Sequence, residues 1–201
     1  SNNMKKLITL LLVLVTLNGY SQSKEEIENY LDTIVHYVEG NKNRLPVTKY
    51  KKDITIYVDG DNMPHLNDEL SKIIDDLNNL ITSIEIKVVD RKVDCNMYIF
   101  FGTVNQYSKI SEDILKNKHV NGFGEIYPDL NDDIFYTSVF INTGKVKNND
   151  RQKHILREEI TQVMGLTNDT YQYSNSMFYQ GYSLVTEYSD IDKEVIKLFY
   201  N

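Results

Sequence analysis

The feature that most constrains this chain is a helix-forming stretch with a carboxylate where a core residue belongs. It reads Arg157-Glu158-Glu159-Ile160-Thr161-Gln162-Val163-Met164-Gly165-Leu166-Thr167-Asn168-Asp169. Leu156, Ile160 and Val163 recur at helical spacing, and Ile155 and Met164 widen the same apolar stripe. The spacing predicts a helix over about 151–165, stopped by Gly165, a residue suited to the left-handed turn that closes helices. At about 100° per residue, Glu158 and Gln162 share the edge of the stripe, while Glu159 falls inside it between Ile155 and Val163. A buried carboxylate is costly unless something pairs with it. A solvated surface helix would suit Glu158 but not Glu159.

The spacing fits a known frame. Zinc peptidases of the zincin type carry H-E-x-x-H on a helix, two ligands one turn apart beside a general base, and the metzincin version continues to a Gly and a third ligand. Here those positions read Glu158, Glu159, Gln162, Gly165 and Asn168, with Asp169 next. The base Glu and the Gly are kept, and the three histidines are replaced. The run continues with Ser176-Met177-Phe178, Ser189-Asp190-Ile191-Asp192 and Leu198-Phe199-Tyr200. This pattern, over the last third of the chain, resembles a bacterial family of secreted zincin-like, metzincin-like proteins of unknown function with Glu-Glu-x-x-Gln in place of His-Glu-x-x-His. The resemblance implies a zincin-like mixed sheet packed on helices, with the strand Ile134–Asn142 along the cleft edge. It casts Glu159 as the catalytic base, and Glu158, Gln162, Asn168 and Asp169 as metal or degenerate-metal positions. Gly165 is structural, and Met177 would form a Met-turn buried beneath the Glu158–Gln162 face.

The donor chemistry argues against a peptidase zinc. Zinc favours nitrogen and sulfur, and a hydrolytic centre needs three protein ligands and an open position. Glu158, Gln162 and Asn168 or Asp169 offer oxygen, which suits calcium or magnesium better. Zinc, calcium and no metal all stay open. His154 lies one turn before Glu158 on the same face, and is expected to be an exposed side chain. His36, His65 and His119 read as structural or surface groups.

The N-terminal end reads as an export signal. Residues 1–3 precede Met4 and read as a cloning scar; Lys5-Lys6, the apolar run Leu7–Leu17 and Asn18-Gly19-Tyr20-Ser21 then make a signal peptide over 4–21. The run is short for a membrane span, so the expected product is a secreted or periplasmic domain, 22–201, with no stable membrane span. Losing Lys5 and Lys6 leaves 20 basic against 29 acidic residues, a net charge of −9. That balance disfavours nucleic acid as a partner. The lone Cys95 excludes an internal disulfide and reads as an inert thiol.

The rest of the chain alternates helices and strands. Helices are expected at Lys24–Val38, Leu66–Ile81, Val104–Lys118 and, capped by Ser189, at about 189–200. Strands are expected at Ile54–Val58, Ile84–Val89, Met97–Phe101, Phe123–Tyr127 and Ile134–Asn142. Residues 171–186 read as a folded loop. This is an α+β layout with a mixed sheet on helices. Three functions fit: a non-catalytic metallopeptidase-fold domain binding a peptide or envelope component, an active metallohydrolase with an unusual Glu/Gln/Asn metal site, or a glycan binder using the dense Tyr171, Tyr173, Tyr179, Tyr182 and Tyr188. The first is favoured, because the ligand positions hold oxygen donors only.

Overall fold

β-branched and aromatic runs supply the strands of a single mixed sheet, and the amphipathic segments close over it. The computed structural model describes residues 22–37 and 43–201; the expected signal segment 4–21 and Val38 lie outside them. The elements are α1 (Lys24–Val35), β1 (Ile54–Gly60), α2 (Pro64–Leu80), β2 (Ile86–Val88), β3 (Met97–Gly102), the single turn α3 (Val104–Tyr107), β4 (Gly122–Pro128), β5 (Ile134–Asn142), α4 (Asn149–Val163) and α5 (Asp190–Tyr200). The strand order is β2-β1-β3-β5-β4. The first four of these run parallel, and β4 pairs antiparallel with β5. Among the described residues no helix is long and apolar enough to cross a membrane.

Side-chain alternation divides the sheet into two faces. Met97, Ile99, Phe101, Val139 and Ile141 enter the main core with Leu66, Leu70, Ile73 and Leu77 of α2 and Ile155, Leu156, Ile160 and Val163 of α4. Tyr98, Phe100 and Phe140 point the other way and pack with Tyr107 and Ile114. The α+β layout expected from the sequence is the one the chain adopts.

Two expectations change. The helix expected over Val104–Lys118 is broken into α3, capped by a Thr103–Gln106 box, and a 3-10 stretch at Glu112–Asn117. Tyr107 and Ile114 anchor these pieces separately, and one anchor apiece does not hold a continuous helix to the core. The strand Ile134–Asn142, expected along the cleft edge, does not line the cleft, whose strand side is β4, and is an inner strand. It is paired on both sides, because the turn after Pro128 folds β4 back along it, and β4 becomes the edge.

Helix α4 begins at Asn148, whose side chain caps the Arg151 N–H, and ends at Gly165, with φ +107°. A Cβ at Gly165 would stand 2.0 Å from the Thr48 carbonyl oxygen. Gly165→Ala therefore combines a disfavoured backbone conformation with a clash against main chain. It should lower unfolding free energy by more than about 1 kcal/mol in urea denaturation. An unchanged midpoint would contradict this.

Candidate functional site

The edge strand and α4 meet closely because β4 carries glycine at two alternate positions. A Cβ at Gly122 would lie 2.4 Å from both Glu159 Oε1 and Ile155 Cγ2, and one at Gly124 would lie 2.5 Å from Val163 Cγ1 and 3.2 Å from Glu159 Oε2. The bare backbone thus makes room for the Glu159 carboxylate, which is half-buried rather than enclosed in the core. A cleft of about 600 Å³ results, lined by Gly122, Gly124, Glu159, Gln162, Thr167 and Asp169, among others. No Lys, Arg or His is among the lining residues. Gln162 Nε2 donates to Asp169 Oδ1 at 2.7 Å, fixing the amide and joining helix to loop.

The main chain of β4 adds a second feature. The Asn142 N–H donates to the Asn121 carbonyl at 2.9 Å, which sets the phase of the β4–β5 ladder. In an antiparallel pair the alternate residues then turn their N–H and C=O outward. These are Gly122, Gly124 and Ile126, beside the cleft. Among the described residues β4 is the terminal strand of the sheet, so this row faces an edge at which no further described strand pairs.

The remaining site candidates separate. Asn168 turns away and donates its side-chain amide to the Thr33 carbonyl at 3.1 Å, tying the loop to α1. Glu158 does not line the cleft. Its Oε2 lies 3.4 Å from His154 Nε2. Of the expected metal positions, Gln162 and Asp169 share the cleft with Glu159, and this set does not fit a peptidase zinc: Gln162 presents a neutral amide already bonded to Asp169, and no nitrogen ligand joins it. Among the described residues no three His, Cys, Asp or Glu side chains gather to hold a metal ion.

His154 is fully buried, contrary to the expectation of an exposed side chain. The 183–185 segment folds over α4, and His154 Nδ1 lies 2.6 Å from the Val185 carbonyl. A carbonyl can only accept, so Nδ1 carries the proton. Burial pushes the imidazole pKa down to about 4, against the pull of that bond, with Arg151 adding to the decrease. Nε2 has no hydrogen-bond partner.

Met177 is buried in the main core, within a turn pinned by one carboxylate. Asp192 Oδ1 accepts from Ser176 Oγ at 2.5 Å, and Oδ2 accepts from the Met177 and Ser189 N–H groups at 2.9 Å each. Burial pushes this carboxyl above its ordinary value, while the hydrogen bonds oppose the shift. The Met177 turn is thereby fastened to the start of α5.

A family model described as "Protein of unknown function (DUF2927)" matches residues 24–201. The chain belongs to the DUF2927 family. No curated protein matches it in sequence. Two solved structures of myroilysin align with this DUF2927 chain at 11% identity. One covers 73% of this chain and 91% of its own with a TM-score of 0.44. The other covers 84% and 94% with a TM-score of 0.46.

The tyrosines of this DUF2927 chain do not form one platform. Tyr188 is buried, its hydroxyl 2.7 Å from Thr161 Oγ1 and its ring 4.8 Å from the Arg157 guanidinium carbon. Tyr173 packs edge-on against Tyr30 and donates to Glu26. Tyr171 and Tyr182 are exposed, and Tyr182 lies against Arg151. Sequence reasoning missed Gly122, Gly124, Arg157 and Asp192. The Gly-x-Gly inside an apolar strand was a usable signal of close backbone approach, and Ser189-x-x-Asp192 one of a capping box. Arg157 had none, since its partners are remote in sequence.

Proposed function

We propose that this protein is an exported, zincin-like domain that binds an extended peptide along β4 and does not cleave it. The observation that carries the reading is the open row of main-chain groups at Gly122, Gly124 and Ile126, running beside the cleft that holds Glu159, Gln162 and Asp169. A peptide added to that edge would pair by main-chain hydrogen bonds, and alternate side chains would enter the cleft. The Glu159 and Asp169 carboxylates of the cleft would suit a Lys or Arg side chain of the peptide. The absence of a fitting zinc donor set supports binding without hydrolysis.

The test is an array of extended decapeptides, with binders followed in solution by fluorescence anisotropy. Saturable binding is expected, weakened at least about tenfold by N-methylation of alternate peptide bonds in the ligand, each of which removes one main-chain donor. Asp169→Asn should weaken Lys- or Arg-containing peptides preferentially. Absence of binding across the array would overturn the reading. Turnover of bound peptide, lost in Glu159→Gln, would replace it with a hydrolase. Mass analysis of protein exported by its native host should find Gln22 at the N-terminus; a retained Met4 start would remove the export part of the proposal.

A further inference from the structure

We infer that the crevice between α2, α4 and the start of α5 is a binding site for a free amino acid, a small zwitterion held by its ammonium and its carboxylate. The crevice shares no lining residue with the cleft beside β4. It begins with a stripe on α2. Glu69, Lys72, Asp76 and Asn79 recur at i, i+3, i+7 and i+10, along one side of the helix. Leu66, Leu70, Ile73 and Leu77 of the same helix fill the core. Arg157 of α4, Thr186, Glu187 and Lys193 complete the lining with the polar stripe. They bound a cavity of about 350 Å³. That lies within the range of small-molecule sites, roughly 300–1,000 Å³.

Glu69 and Asp76 supply the ammonium subsite. The Glu69 side chain is buried, yet one of its oxygens is unused. Oε1 accepts both of its Arg157 bonds, and Oε2 accepts no hydrogen bond from the protein. A buried carboxylate oxygen is costly to leave without a donor. Asp76 likewise receives Arg157 on Oδ2 alone. Two carboxylates share one guanidinium, so this part of the cavity carries net negative charge. An ammonium, with three donors, fits it.

The lysines supply the other subsite. Lys72 and Lys193 line the same cavity and are exposed. Lys193 reaches Asp190 only at 3.7 Å, and such exposed pairs contribute little. Lys72 lies one helical turn from both Glu69 and Asp76, which sets their side-chain bases about 5–6 Å from its own. One small ligand can therefore reach both signs of charge. A simple anion would meet Glu69 and Asp76, and a simple cation would meet Lys72 and Lys193. A zwitterion avoids both penalties. Leu80 offers the ligand side chain an apolar wall.

The full chain should be titrated by NMR with the common free amino acids, and each binder compared with its amide and its N-acetyl derivative. At least one free acid is expected to bind with Kd below about 1 mM. Removing either charge from the ligand should weaken binding at least about tenfold. Lys72→Ala, at an exposed position that should keep the fold, is expected to weaken the free acid at least about fivefold and leave its amide unchanged. Lys193→Ala, also exposed, should do the same. Glu69→Gln, with folding checked by circular dichroism, should weaken the free acid and leave the N-acetyl derivative unchanged. No binding of any free acid at about 10 mM would overturn the site. So would N-acetyl derivatives that bind as well as the parent acid, or binding unchanged in both lysine variants. Binding lost in Asp169→Asn would place the ligand in the β4 cleft and overturn it too.

Discussion

Arg157→Ala should cost about 3–5 kcal/mol of stability, the characteristic loss when one partner of a buried ion pair is removed. Arg157 is 1% exposed and Glu69 is 2% exposed. The guanidinium donates from Nε and Nη2 to Glu69 Oε1 at 3.1 and 2.8 Å, and from Nη1 to Asp76 Oδ2 at 2.5 Å. It also sits over the ring of Tyr188. This one side chain therefore joins α4 to α2 and to the loop before α5. Truncating it strands the Glu69 carboxylate in the core without a counter-charge. Asp76 matters less, because its side chain is 45% exposed and water can replace the arginine. The double change Arg157→Met with Glu69→Leu should recover most of the loss, since neither member then leaves a buried charge. Urea denaturation of the singles and the double gives the coupling directly. A loss below about 1 kcal/mol for Arg157→Ala would show that the network does not hold the helices together.

Asp192→Ala is expected to cost about 2–4 kcal/mol, from a lost helix cap and a buried N–H left without an acceptor. Its two oxygens accept from Ser176 Oγ, the Met177 N–H and the Ser189 N–H. Ser176 Oγ in turn accepts from the Phe178 N–H at 3.0 Å and lies 2.9 Å from the Tyr30 hydroxyl. The effect should thus spread from α5 through the Met177 turn to α1. Asp192→Asn keeps one accepting oxygen and should cost about half as much. Hydrogen exchange should show faster amide exchange at Met177 and Phe178 in Asp192→Ala. Unchanged protection there would refute the pinned turn.

The two adjacent glutamates show how little separation in sequence divides two environments. Glu158 faces a buried imidazole, while Glu159 faces two glycines across a cleft. The helical angle makes them diverge, so their separation was readable from the residues alone. What each would meet was not. The glycines come from an edge strand about 35 residues earlier, and the carbonyl that holds His154 from a loop about 30 residues later.

By itself the sequence determined the elements, because helical and strand periods are local properties of the chain. The stripe of α4, its stop at Gly165, the apolar β-forming runs of β3 and β5 and the cap at Ser189 follow from side chains and the backbone geometry beside them. Where the local signal was thin, at 104–118, the helix prediction failed. Tertiary structure alone decided which strand lies at the edge, since a short turn can fold β4 onto either side of its neighbour's register. It also decided which polar residues are buried. His154 reads as a surface group in sequence; it and Glu69, Arg157 and Asp192 are inside, each because a partner distant in the chain meets its charge or its hydrogen bond.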